Sequence, residues 1–303
     1  MAVDAKELES LAESWEIHLA AGRKSPRTIR TYLMGLNRYA AWCAGRGLKP
    51  EMDPRQVKEW MAAMLSDDLK PATVQTWNAA VRAFAAWLAG EDDVPSPLAG
   101  VKGPKLDEPI PDYVTPDQFG ALLATCSGRS FHDIRDRAVL GVLNDSGARA
   151  SELLSMTTEG TNLRQRTARV ESGKGGKGRV VAYSAETARD LDRYLRARRG
   201  HRLAAGPFVW LPLRVNGNTS RLTYPALYRS LRRRAERADP PFALHPHMLR
   251  AAFAVGWRLK GGSTESMMTL AGWRDMKMVM RYTRAAENEL ALEEARRLFD
   301  GGV

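Results

Sequence analysis

Cysteine is almost missing from this chain: Cys43 and Cys126 are the only two among 303 residues, and they form no CxxC pair. That argues against a disulfide framework and a Cys-based zinc site, and leaves two reduced core thiols. Histidine is sparse as well, five in all, and only His245 and His247 stand close together. No metal-ligand cluster is visible, so no metal and no cofactor is expected. No run of about 18 apolar residues occurs, which excludes a membrane-spanning helix. The opening MAVDAKELES is acidic and polar, unlike a secretory signal, so a cytoplasmic protein is expected. Low-complexity tracts and internal repeats are missing too, and the chain should fold throughout.

What the chain has in surplus is positive charge: 46 Lys and Arg against 35 Asp and Glu give +11. Residues 1–100 hold 12 cations against 13 anions, so the remainder carries 34 against 22, or +12. Clustered cations gain free energy by displacing counterions from a phosphate backbone, which points to nucleic acid. A length of 303 residues suits two cores better than one.

Apolar residues at helical spacing run through residues 5–20. Further helices open where Ser25, Asp53 and Pro71 stand at or beside a helix start, the last running to a stop at Gly90. Residues 1–92 therefore read as an all-helical domain. Trp15, Trp42, Trp60, Trp77 and Trp87 fall on its apolar stripes and are expected in the core. Arg23, Lys24, Arg27 and Arg30 gather at the start of the second helix, where a phosphate could bind; a solvated basic face is the plainer alternative. Six prolines between residues 91 and 116 mark an extended linker, placed at 93–114. Residues 115–303 read as a second, mostly helical domain opening on the capping box of Thr115 and Gln118. It holds two short Val-rich strands in TARVESGKGGKGRVVAYS. The fold class is mainly α with a small antiparallel sheet.

Several segments of the second domain can carry chemistry. SGARASELL opens a helix with Arg149 one turn before Glu152, which could orient it or simply pair with it at the surface. GKGGKG lies between two strands and lacks both the spacing and the following helix of a phosphate loop; Lys174 and Lys177 are its two cations. HPHMLRAAFA sets His247 and Arg250 on one helical face. LAGWRDMKMVMRYTR places Trp273 nine residues before Tyr282. Taken singly, each is matched by an ordinary surface pair, turn or core aromatic.

In this order, with Arg250, Trp273 and Tyr282 separated by 23 and 9 residues, the segments resemble the signature of the tyrosine recombinases, or phage integrases, of the Xer-like two-domain type. The resemblance implies a SAM-like core-DNA-binding domain before a catalytic domain. It implies that Tyr282 attacks a DNA phosphodiester to give a 3′-phosphotyrosyl link. Arg149 and Arg250 would grip the phosphate, and Trp273 would donate its N–H to it. His247 would move a proton, and Lys174 would protonate the leaving 5′ oxygen, with Lys177 close by on DNA. Guanidinium suits the first task, because its planar fork matches two phosphate oxygens and stays charged. Ala251 departs from the common pattern, in which His is frequent at that position. Double-stranded DNA at a specific site is the implied partner, with four protomers assembled on two sites and no membrane. The tail AENELALEEARRLFD, with Ala291, Ala295, Leu298 and Phe299 on one face, would pack on its own domain or on a neighbour. A type IB topoisomerase and a silent DNA-binding protein of the same fold are the rival readings.

Overall fold

The computed structural model describes residues 5–106, 111–171, 178–215, 219–284 and 287–300. Contacts divide the chain into two units, Met1–Glu108 and Pro109–Val303.

In the first unit the apolar stripes become α1 (Ala5–Ala21), α2 (Pro26–Ala44), α3 (Pro54–Ser66) and α4 (Pro71–Glu91). Each of the last three has proline in its first turn, where a missing N–H costs nothing. Ser25 and Asp53 accept from first-turn amides, as N-caps do. Trp15 and Trp60 are buried, Trp15 edge-on to Phe84 and Trp60 tilted on Tyr39. Trp42, Trp77 and Trp87 are partly buried against that core. Gly35 lets α2 and α4 approach closely: a methyl group there would meet Ala80 and the Trp77 backbone. The expected linker is not extended throughout. Leu98 and Val101 are buried in this first core, and Arg82 donates to the carbonyls of Leu98 and Ala99. Val114 belongs to the core of the second unit. Arg23, Lys24, Arg27 and Arg30 are all exposed.

The second unit runs through α5 (Pro116–Ala124), α6 (Phe131–Ser146) and α7 (Ala150–Ser155) into a sheet. Its strands are β1 (Thr161–Asn162), β2 (Thr167–Val170) and β3 (Arg179–Ala182), antiparallel in the order β1-β2-β3. β1 is one strand more than the sequence suggested. There follow α8 (Ala185–Arg198), α9 (Tyr224–Glu236), α10 (Pro246–Leu259), α11 (Thr264–Ala271), α12 (Met276–Thr283) and α13 (Glu287–Asp300). The run Ala138–Leu143 in α6 is buried on every side, so this helix is the axis on which α8 and α10 pack. α13 leaves Leu292, Leu298 and Phe299 exposed, the last by 83%. Among the described residues no helix is long and apolar enough to cross a membrane.

A buried ionic network joins α6 to α9. Asp136 accepts from Arg135, Ser230 and Arg234, and Arg234 also pairs with Asp133 at 2.8 Å. Burial pushes the Asp136 carboxyl up, but His132, Arg135 and Ser230 outweigh it and hold the group below the usual carboxylate range. Because the folded value lies below the unfolded one, this contribution to stability is complete above about pH 4 and is lost as the pH falls further. Asp136→Ala leaves Arg135 buried without a carboxylate. We expect a loss of about 3–5 kcal/mol, measured as a lower urea midpoint for the second unit; an unchanged midpoint would show the network to be dispensable.

Candidate active site

The site forms where two helix ends meet. α6 stops at Gly147, whose φ of +57° turns the chain within two residues into α7. Arg149 occupies the N-cap of α7, and Glu152 reaches back to it. The Arg149 backbone N–H donates to Glu152 Oε2 at 2.7 Å, and its Nη1 donates to Oε1 at 2.9 Å. The Arg149 side chain is still 47% exposed, whereas Glu152 is 3% exposed. Arg179, at the start of β3, takes both Glu152 oxygens from another side, at 2.7 and 2.9 Å. Burial would raise the Glu152 carboxyl, but hydrogen bonds from Arg179 and Arg149 bring it down to about 2. It is therefore an anion at any working pH.

α10 begins with His245 and Pro246, and its next turn presents His247 and Arg250 together. Arg250 is 2% exposed; its guanidinium donates to Gly147 O and, at 2.8 Å, to Ala271 O at the end of α11. It lies 4.9 Å over the Trp273 ring. Burial, then the charge of Arg149, lowers its pKa to about 10, which leaves it protonated at neutral pH. Trp273 follows the α11 C-cap Gly272 and is itself buried. Its indole N–H is enclosed and hydrogen-bonds to none of the described residues.

Tyr282 stands in the last turn of α12 and is 2% exposed. Its ring stacks on Trp273 at 5.0 Å and 6°. Its hydroxyl is hydrogen-bonded to His247 Nε2. Burial and the cations Arg250, Arg281 and Arg149 push the His247 pKa down, so the imidazole is neutral at neutral pH. In the tautomer that carries its N–H on Nδ1, the neutral ring accepts the phenolic proton at Nε2. Chemically, a phenol paired with an imidazole in this way can act as a nucleophile with its base, beside two guanidiniums suited to an anionic centre.

Of the residues singled out from the sequence, Arg149, Glu152, His247, Arg250, Trp273 and Tyr282 lie in this cluster. Lys174 and Lys177 lie outside the described residues. Arg23, Lys24, Arg27 and Arg30 belong to the first unit. Arg179 and Gly147 were missed. In the sequence Arg179 is one more cation after a Gly-rich turn, and only the contact with Glu152, 27 residues away, sets it apart. Ala251, the departure from the usual pattern, is fully buried. Among the described residues no group of three His, Cys, Asp or Glu is placed to hold a metal ion.

Residues 112–289 match the model of the phage integrase family, and residues 12–92 match that of the phage integrase N-terminal SAM-like domain. The chain is 31% identical over 268 residues to tyrosine recombinase XerD of Ralstonia nicotianae, covering 87% of this chain and 85% of the relative. It is 26% identical over 282 residues to tyrosine recombinase XerC of Pelobacter propionicus, covering 91% of each. In fold it is similar to the XerH site-specific recombinase bound to a palindromic difH substrate in a post-cleavage complex. That match has a TM-score of 0.73 at 17% identity and covers 97% of this chain and 84% of the other.

The two arginines differ in how they are built in. Arg250→Ala strips the donor from two carbonyls, Gly147 O and Ala271 O, at buried helix ends, each worth about 1–3 kcal/mol. Arg149→Ala removes a half-exposed contact while Glu152 keeps Arg179, worth at most about 1 kcal/mol. Thermal denaturation is expected to show a clear drop for the first variant and almost none for the second; equal drops would contradict this division.

Proposed function

The chain belongs to the phage integrase family, and we infer that it is a site-specific tyrosine recombinase in which Tyr282 breaks and rejoins DNA strands. The observation that carries the assignment is the bond from the Tyr282 hydroxyl to a neutral His247. A phenol is a poor nucleophile until its proton has somewhere to go, and here the acceptor is already in place. The phenolic oxygen attacks phosphorus, its proton passes to His247, and the bond to the 5′ oxygen breaks. Lys174 supplies the proton that the 5′ oxygen needs. The product is a 3′-phosphotyrosyl link, which a 5′ hydroxyl of another strand reverses by the same steps backwards.

Negative charge builds on the non-bridging oxygens as the phosphorus becomes five-coordinate. Arg149 and Arg250 neutralise it with fixed donors, and the unpartnered indole N–H of Trp273 adds a third kind of donor. The net charge of +11 supports a double-stranded DNA partner. We place the reaction in the cytoplasm, where Cys43 and Cys126, both buried and free, stay reduced. Four protomers act on two sites. The exposed Leu292, Leu298 and Phe299 of α13 support a tail that docks on a neighbouring protomer.

Tyr282→Phe removes only the nucleophilic oxygen. It is expected to bind DNA as the native chain does and to form no covalent adduct with a nicked suicide substrate on a denaturing gel. Adduct at the native level would refute the assignment.

Deleting residues 286–303 is expected to leave half-site affinity nearly unchanged while abolishing cooperative binding to a full site and pairing of two sites. Band-shift titrations on half and full sites read this directly. Intact cooperativity with a lower melting temperature would mean that the tail packs on its own domain.

A further inference from the structure

Glu152 is the carboxylate that both Arg149 and Arg179 contact, and how its two oxygens are shared decides what Arg149 can do. Buried and alone with one arginine, a carboxylate draws the guanidinium into a two-pronged pair. Here Arg179 takes one prong on each oxygen. Arg149 is left with a single side-chain contact, Nη1 to Oε1, while its Nε and Nη2 hydrogen-bond to none of the described residues. The remaining edge of its fork is free for another anion.

Arg179 is held from its other edge as well. Its Nε donates to Leu270 O at 2.7 Å, next to the carbonyl that Arg250 holds. The flat face of its guanidinium lies on Gly272, where a methyl group would meet Nη1 at 3.0 Å. Gly272 also has a φ of +66°, so both backbone and space demand glycine before Trp273. Arg179 thus connects β3, the strand after the Gly-rich segment, to Glu152 and to the turn bearing Trp273.

We propose that Arg179 is a positioning residue for DNA cleavage: by occupying both oxygens of Glu152 it keeps the Arg149 fork open for the scissile phosphate, and by holding Leu270 and Gly272 it sets the Trp273 turn. The proposal rests on the recombinase reading for its kinetic consequence, though not for its structural one. Without Arg179, Glu152 closes on Arg149 as a two-pronged pair and competes with the phosphate.

Single-turnover cleavage of a nicked suicide substrate at saturating DNA tests it with Arg179→Met, Arg179→Lys, Glu152→Gln and the Arg179→Met, Glu152→Gln double variant. Arg179→Met is expected to cleave roughly 10²-fold more slowly, the usual cost of displacing a positioned group by about 1 Å. The double variant is expected to regain at least about tenfold over it, because a neutral amide cannot clamp Arg149 yet can still accept its backbone N–H. Arg179→Lys keeps the charge without the fork and falls between native and Met, which also guards against a Met variant that fails to fold. A double variant no faster than Arg179→Met would mean a merely structural role and overturn the proposal. The crystal structure of Arg179→Met decides the geometry without reference to catalysis: Arg149 closed on both oxygens of Glu152 supports it, and an unmoved single contact overturns it. If the native chain formed no adduct, the recombinase reading would fall while that structural test still ruled on Arg179.

Discussion

Like charges crowd this site, and the rest of its architecture follows from how they are made to coexist. Arg149, Arg179 and Arg250 converge with His247 beside them, yet among the described residues only one carboxylate, Glu152, contacts any of the three arginines. Backbone carbonyls compensate for the rest. Gly147 O, at the end of α6, and Leu270 O and Ala271 O, at the end of α11, point their lone pairs at guanidinium groups. The C-terminal end of a helix carries partial negative charge and unsatisfied carbonyls, so a cation there is stabilised twice over. Burial, and after it the charge of Arg149, still lowers the Arg250 pKa. In the recombinase reading proposed above, a phosphate entering this place would supply negative charge.

The aromatic side of the site obeys a different rule. Trp273 and Tyr282 stack almost in parallel, with Arg250 over the indole. The stack buries the phenol ring, and among the described residues its hydroxyl has one hydrogen-bond partner, His247. An enclosed indole N–H with no acceptor among the described residues costs about 1–3 kcal/mol, a cost the proposed role as a donor to the phosphate would account for. Tryptophan at this position offers that donor with no proton to lose near neutral pH.

Helix starts were legible because capping is local. Ser25, Asp53 and the Thr115–Gln118 box announce their helices within four residues. The candidate site was legible through the family resemblance, whose motifs in order named residues that the structure brings together, His247 and Arg250 among them. What stayed hidden depends on contacts distant in sequence. Arg179 gains its meaning from Glu152 and Leu270, 27 and 91 residues away. β1 has two residues and no period to detect. Leu98 and Val101 are isolated apolar residues among prolines, and only packing into the first unit's core makes them buried. The resemblance offered Arg250 as a phosphate ligand but gave no hint of it as the tie between α6 and α11, because neither Gly147 nor Ala271 advertises an outward carbonyl.

The bare apolar strip on α13 sits on a chain of charge +11. Two free copies repel one another at low ionic strength, and the strip, short-ranged by nature, acts only after they touch. Neutralising the cations on a polyanion removes that barrier, so the tail docking proposed above would operate on DNA and be suppressed off it. Added salt cuts both ways: it screens the repulsion between free copies and weakens their hold on DNA. The charge surplus that recruits the substrate thereby also keeps dilute protein dispersed.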